Sequence, residues 1–294
     1  MKKKINKLIA IVGPTASGKT DLAIFLALKF QAELISADSR QVYRGMDIGT
    51  GKDKSYPQHL IDIRDPKTQY SVAEFQKDAY KKIYEIFKRK KIPIMVGGTG
   101  LYIDSVLKGY KIPKTSLALR EELDKLNTDD LLNQLKSYDK IAYEKIDHNN
   151  RRRILRALEA SIVNRRPLSD YQAHKPKFET LLLGLDLPRA ELYKRIDSRV
   201  DKRVKAGMVE EVETLLAKGI SHERLQRYGL EYKFIDNYLQ KKLTKTEMIQ
   251  KLKFAIHDFA RRQLTWFRKN KDIYWVKNQK EASILVRKFL YYEK

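Results

Sequence analysis

Gly13-Pro14-Thr15-Ala16-Ser17-Gly18-Lys19-Thr20 fits G-x-x-x-x-G-K-[ST], the P-loop pattern, and its flanks suit it. Upstream, Leu8-Ile9-Ala10-Ile11-Val12 is a short apolar run that reads as a buried parallel strand. Downstream, Leu22 to Leu28 reads as a buried helix. A glycine-rich turn between strand and helix lets successive backbone N–H groups curl around a phosphate at the positive end of the helix dipole. Lys19 adds a point charge, and the Thr20 hydroxyl is a ligand for Mg²⁺. The four fixed positions alone arise by chance in roughly 1% of chains of this length. The stretch from Gly13 to Thr20, with Pro14, Thr15, Ala16, Ser17, Gly18 and Lys19 between, is therefore expected to hold a phosphate or diphosphate.

After this loop, Glu33-Leu34-Ile35-Ser36-Ala37 is a second strand ending at Asp38. Ser71-Val72-Ala73-Glu74 is a capping box, and Val72, Phe75, Ala79, Ile83 and Ile86 then recur at helical spacing. Lys88 to Lys91 suit that helix's negative end. Ile92-Pro93-Ile94-Met95-Val96 is a third strand, followed by Gly97-Gly98-Thr99-Gly100 and another helix. Alternation of this kind to about residue 110 predicts an α/β fold, a P-loop NTPase-like parallel sheet flanked by helices. Ligands of such sheets lie beyond the carboxyl ends of the strands, where residues 13–20, Asp38 and Thr99 fall. Short helices then replace the pattern. The expected organisation is a catalytic core of 1–114 with 180–294, interrupted by an all-helical insertion domain at 115–179. A strand at 180–187 rejoins the sheet, and helices follow at 189–218, 222–240 and 245–269. A short strand at Ile273 to Val276 and a terminal helix end the chain.

The net charge of +24 points to a phosphate-rich polymer as partner, the alternative being a lysine-rich composition without function. The absence of cysteine excludes a disulfide framework and thiolate zinc sites, and suits a reducing cytoplasm, the expected location. No H-E-x-x-H spacing occurs, and His59 reads as a hydrogen-bonded structural imidazole. Met1-Lys2-Lys3-Lys4 looks like the start of a signal peptide. The apolar run behind it is short and passes straight into the P-loop, so a strand is expected instead. No apolar stretch approaches membrane-spanning length, and no membrane partner is expected.

Asp38 faces the phosphate site as a general base, a group near Mg²⁺, or a helix cap. Around it, Ser36 to Thr50 is polar, aromatic and cationic together, which suits a base and its phosphates. The third strand ends without the carboxylate that an ATP-hydrolysing P-loop protein places there, which weakens an ATPase reading. Near the end, Phe259-Ala260-Arg261-Arg262-Gln263-Leu264-Thr265-Trp266-Phe267-Arg268 combines phosphate-contacting arginines with aromatics expected in the core. Within the insertion, Arg151, Arg152 and Arg153 precede a helix carrying Arg156, one turn beyond Arg152. They read either as phosphate contacts or as a solvated face in which Arg156 and Glu159 form a weak surface pair.

Taken together these residues resemble the tRNA dimethylallyltransferase (tRNA isopentenyltransferase) family. The matching strings are Gly13 to Thr20, Ser36 to Thr50, His59 to Asp62, Gly97 to Tyr102, Arg153 to Glu159 and Arg262 to Arg268, in the family's order. The resemblance implies transfer of a dimethylallyl group from dimethylallyl diphosphate to the N6 amine of the adenine immediately 3′ of the tRNA anticodon, releasing diphosphate. It implies Asp38 as base, Thr99 near the reacting amine, Lys19 on the leaving group and Mg²⁺ on Thr20. It also implies contacts to the anticodon stem-loop from Asp38, Ser39, Arg40, Gln41, Arg152, Arg153, Ile154, Leu155, Arg156, Arg261 and Arg262, in a monomer.

The chemistry agrees. A departing diphosphate needs cations and N–H groups, and an adenine amine must lose a proton that an ionised aspartate can take. A stacked base cannot reach such a site, so the adenine is expected to be flipped out of the loop. The chain departs from the family where Glu231-Tyr232-Lys233 stands for Gly-Tyr-Lys/Arg, and where Ile256-His257 stands for Thr-Arg. Rival readings are a small-molecule kinase, a non-enzymatic RNA-binding module, and prenyl transfer to a free adenine nucleotide. The insertion and the surplus charge favour a polymeric acceptor.

Overall fold

An unbroken apolar strand must be covered on both faces, and Lys7–Val12 (β1) lies in the interior of a six-stranded parallel sheet. The computed structural model describes residues 6–167, 176–185 and 187–292. On one side β1 pairs with Ile92–Gly97 (β4), Ile9 opposite Ile94; on the other it pairs with Glu179–Leu185 (β5), Ile9 opposite Leu181. Ala32–Ser36 (β2) flanks β4, Gln58–His59 (β3) flanks β2, and Ile273–Val276 (β6) flanks β5. The order is β3-β2-β4-β1-β5-β6. Leu8, Ala10 and Val12 enter one core layer and Ile9 and Ile11 the other, the alternation of a strand buried on both faces.

Lys19–Phe30 (α1) and Gln279–Tyr291 (α13) cover the face of Ile9 and Ile11. Val72–Lys88 (α2) and Gly100–Leu107 (α3) cover the other, with Phe75, Ala79, Ile83 and Ile86 of α2 buried. The capping box that starts α2 is complete: Glu74 N donates to Ser71 Oγ at 3.2 Å and Ser71 N to Glu74 Oε2 at 2.9 Å. Two expected helices are each split by a glycine. Arg189–Lys205 (α8) and Met208–Ala217 (α9) meet at Gly207, φ +97°, and His222–Arg227 (α10) and Leu230–Leu239 (α11) meet at Gly229, φ +122°. Lys245–Arg268 (α12) is continuous. The two-residue β3 went unpredicted because an edge strand so short carries no periodicity. The Met1 to Lys4 segment, and residue 186 where the expected strand continued, lie outside the described residues.

The chain divides into two units, Met1–Leu107 with Phe178–Lys294, and Lys108–Lys177. The second begins at Lys108, beside Gly109 in the left-handed conformation at φ +60°, where 115 is expected from the sequence. It contains Leu117–Leu123 (α4), Thr128–Tyr138 (α5), Lys140–Lys145 (α6) and Arg151–Asn164 (α7) around its own core of Leu123, Leu131, Leu135, Ile154, Leu155 and Leu158. No helix among the described residues is long and apolar enough to cross a membrane.

Candidate active site

The carboxyl ends of β1, β2 and β4 open onto a cleft of about 740 Å³. Gly13 and Gly18 adopt positive φ, +146° and +87°, and Gly18 is the N-cap of α1 with no side chain capping the helix. The first-turn N–H groups of α1 are thus left for a ligand, and an anion suits them. Ser17 Oγ is buried nearby without a hydrogen-bond partner. Lys19 donates to Pro14 O, and burial together with the neighbouring Arg199 pushes its ammonium down to about 7, against the opposing pull of Asp38.

Facing the loop are three residues that sequence reasoning missed. Arg195, Arg199 and Arg203 recur every fourth residue along α8, on one face, and all line the cleft. Arg199 donates to Thr15 Oγ1, while its Nε is buried without a partner. Burial and the adjacent Arg203 hold its guanidinium down to about 10. Cations this desolvated and this close await an anion. Gln263 ties the loop to the end of β4, accepting from Thr15 N at 2.8 Å and donating to Gly98 O at 2.9 Å. The i, i+4, i+8 arginine spacing was the available signal, but exposed helix faces carry the same pattern.

Asp38 lines the same cleft as the P-loop, within electrostatic reach of Lys19. Its Oδ1 accepts from Arg40 N at 2.8 Å and Gln41 N at 3.4 Å, an Asx-type turn. Thr99 Oγ1 accepts from Ser39 N at 3.3 Å. Asp38, Ser39, Arg40, Gln41 and Thr99 all line the cleft. So do Phe259 and Trp266, 40% and 41% exposed, which corrects the expectation that they are core residues; Phe267 alone of the three is buried. The indole is packed so tightly on Gly100 that a Cβ there would lie 2.3 Å from its Nε1. Arg262 lines the same wall, whereas Arg261 pairs with Asp258 at 3.1 Å outside it.

In the insertion, Arg152, Arg153 and Arg156 are exposed. Arg151 instead donates to the Asp124 and Leu126 carbonyls, both at 2.7 Å. Ile154 and Leu155, expected at a tRNA surface, are 0% and 5% exposed inside the insertion's core and cannot touch a ligand, since they supply the apolar stripe of α7. Nor are Arg156 and Glu159 a surface pair. Glu159 is fully buried and accepts from Ser116 N at 2.9 Å, from Arg120 at 3.1 Å and from Arg156 at 2.7 Å, joining α4 to α7. Of the two departures, Glu231 lines the cleft 3.7 Å from Arg203. Ile256 is buried, and His257 stacks on Tyr193 at 4.0 Å, within 2.9 Å of Asp197 but off hydrogen-bond alignment. His59 is the structural imidazole expected, 2.7 Å from Glu33.

The family model described as IPP transferase matches residues 41–270, and that described as isopentenyl transferase matches residues 6–62. The chain belongs to the IPP transferase family. It is a transferase, 44% identical over 289 residues to tRNA dimethylallyltransferase 1 of Parabacteroides distasonis, with 93% of each chain covered. The crystal structure of the full-length tRNA isopentenylpyrophosphate transferase from Bacillus halodurans superposes with a TM-score of 0.72 at 36% identity, covering 97% of this chain and 95% of that one. A eukaryotic dimethylallyltransferase acting on tRNA superposes with a TM-score of 0.82 at 26% identity, covering 97% and 79%.

Proposed function

We propose that the protein transfers the dimethylallyl group of dimethylallyl diphosphate to the N6 amine of the adenine immediately 3′ of a tRNA anticodon, releasing diphosphate. One observation carries this reading. A single cleft is lined by an uncapped helix terminus with buried, under-paired cations and also by a carboxylate and exposed aromatic surfaces. The first half suits a diphosphate leaving group and the second a nucleobase. The bond from the dimethylallyl carbon to the diphosphate oxygen breaks, the bond from that carbon to N6 forms, and the N6 proton passes to Asp38. The α1 N–H groups, Lys19 and Arg199 meet the negative charge as it grows on the departing oxygen. Asp38 Oδ1 is held by two backbone N–H groups, which leaves Oδ2 for the proton.

Thr99 steadies this turn through Ser39, and Phe259 and Trp266 offer stacking surface to unstacked bases. Arg40, Gln41 and Arg262 border the same space and suit the acceptor's polar groups. The oxygens at hand, the Thr20 hydroxyl and the Asp38 carboxylate, are hard donors that suit Mg²⁺. The Thr20 hydroxyl, next to Lys19 at the start of α1, would hold such an ion. Bound there, Mg²⁺ supplies further neutralisation of diphosphate charge. Mass spectrometry of tRNA incubated with protein, dimethylallyl diphosphate and Mg²⁺ tests the reading. One dimethylallyl substituent on the adenosine 3′ of the anticodon is expected, and ATP cleavage coupled to modification of a small acceptor would replace it with a kinase.

Proton linkage follows from Lys19. In the free protein it is charged below about pH 7 and neutral above, and a bound diphosphate raises its pKa again. Donor affinity should therefore fall as pH rises above about 7, with uptake of up to about one proton per diphosphate bound at pH 8. Calorimetry of pyrophosphate binding in buffers of different ionisation enthalpy measures it. Lys19→Arg, charged throughout, should take up less by that proton; equal uptake in both proteins would remove Lys19 from the linkage.

For the insertion, Arg152 and Arg153 are read as phosphate contacts to the anticodon stem, with Arg156 oriented by Glu159. Each phosphate contact contributes about 0.7 to 0.9 to the slope of log affinity against log salt. The double variant Arg152→Ala, Arg153→Ala should flatten the slope for tRNA by up to about twice that value, with donor affinity unchanged. An unaltered slope would return both arginines to the solvated surface.

A further inference from the structure

Residues 47–49 turn three successive backbone N–H groups toward one point, a concave arrangement of the kind that binds anions. The anion there is the protein's own. Glu211, on α9, accepts from Asp47 N and Ile48 N through Oε2 at 2.7 and 2.6 Å, and from Gly49 N through Oε1 at 3.0 Å. The buried Tyr232 hydroxyl donates to the same Oε1 at 2.8 Å. Its ring lies so close under the loop that a Cβ on Gly49 would meet the hydroxyl oxygen at 2.7 Å.

The loop held in this way lines the cleft with Gly49, Thr50 and Gly51, and its carbonyls grip two side chains of the site. Gln41 Nε2 reaches Thr50 O at 3.5 Å and Gly51 O at 3.4 Å, and Arg203 donates to Gly49 O at 3.2 Å. Gln41 also accepts from Ser36 Oγ at 2.9 Å, and its backbone N–H is one of the two that hold Asp38. A chain of direct contacts thus runs from Glu211 through the loop to the proton acceptor.

We infer that Glu211 is a positioning residue for the acceptor half of the active site, setting the geometry in which Asp38 meets the acceptor base by filling the nest of residues 47–49. The inference rests on the tRNA prenylation reading. It weighs on the two substrates unequally, because, of the donor-side groups, Arg203 alone touches this loop, through Gly49 O, while the α1 N–H groups, Lys19 and Arg199 have no hydrogen bond to residues 47–51. It also predicts that the nest outlives the side chain. Glu211→Ala leaves three convergent N–H groups and the Tyr232 hydroxyl around a vacancy that a small carboxylate can refill. Glu211→Gln cannot be refilled, and its amide NH₂ replaces one of two oxygens that both accept.

The test is steady-state prenylation of an anticodon stem-loop RNA by the full-length wild type, E211A and E211Q, with and without sodium formate. In both variants kcat/KM for the RNA should fall about 10- to 100-fold, the range of losing a hydrogen bond to a charged group, with KM for dimethylallyl diphosphate within about twofold. Formate should restore about tenfold in E211A and leave the wild type and E211Q unmoved. RNA kinetics like the wild type's in E211A would overturn the inference. So would parallel loss toward both substrates with a lowered thermal midpoint and no response to formate, which would make Glu211 a structural residue only. Should E211A not fold, the RNA-specific loss is read from E211Q, and its absence there overturns the inference equally. A wild type that leaves the RNA unmodified would sink the proposed function instead.

Discussion

Asp38→Asn is expected to slow single-turnover prenyl transfer by about 10² to 10⁴-fold, the usual worth of a general base, while tRNA affinity stays near that of the wild type. Asparagine is the informative substitution because of the turn that Asp38 builds. Its Oδ1 accepts from Arg40 N and Gln41 N, and an asparagine oxygen can keep both bonds while the proton acceptor is lost. Alanine would remove base and turn together and so confuse catalysis with the placement of Arg40 and Gln41. Measuring the single-turnover rate and the tRNA dissociation constant on the same preparation decides the matter. A near-normal rate in Asp38→Asn would eliminate Asp38 as the base, and an equal collapse of rate and affinity would make it a binding residue.

Lys19→Ala should weaken donor binding about 10- to 100-fold and lower the rate at saturating donor by a further 10² or so, with tRNA binding unchanged. The two losses have separate origins: one is a charged contact to the bound diphosphate, the other the charge that develops on it as the carbon–oxygen bond breaks. The variant should also carry a signature in stability. The folded pKa of Lys19, about 7, lies below its ordinary value, so the unfolded chain binds the proton more tightly and wild-type stability rises with pH between about 7 and 10. Lys19→Ala should lose that rise while remaining at least as stable at pH 6, where the wild type must bury a charge. Thermal melts across this pH range, set beside donor titrations, test both halves. Unchanged donor affinity in Lys19→Ala would place the diphosphate elsewhere in the cleft.

The amino-terminal half of the site was legible because its signals are local. A P-loop is contiguous by construction, Asp38 follows a buried strand directly, and Thr99 follows another. The Ser71 capping box and the apolar runs of β1, β4 and β5 likewise depend on neighbours within a few residues. The opposite wall has no such signature. Arg199 meets Thr15 across 184 positions and Gln263 meets it across 248. A charged residue at helical spacing reads the same in a sequence whether it faces water or a phosphate, since the difference lies in what is packed against it. For the same reason Phe259 and Trp266 are expected in the core and Ile154 and Leu155 at a surface, and a weak exposed pair is one of the two readings open to Glu159 with Arg156.

By itself, then, the sequence determined the parallel α/β sheet, the phosphate loop at its edge and the carboxylate beside it, all consequences of short-range pattern and backbone geometry. Only the tertiary structure decided which arginines line the cleft with the P-loop, which aromatics are exposed there, and that Glu211 fills the nest of residues 47–49. Each of these is settled by long-range packing, which alone fixes whether a side chain is desolvated and what it can pair with.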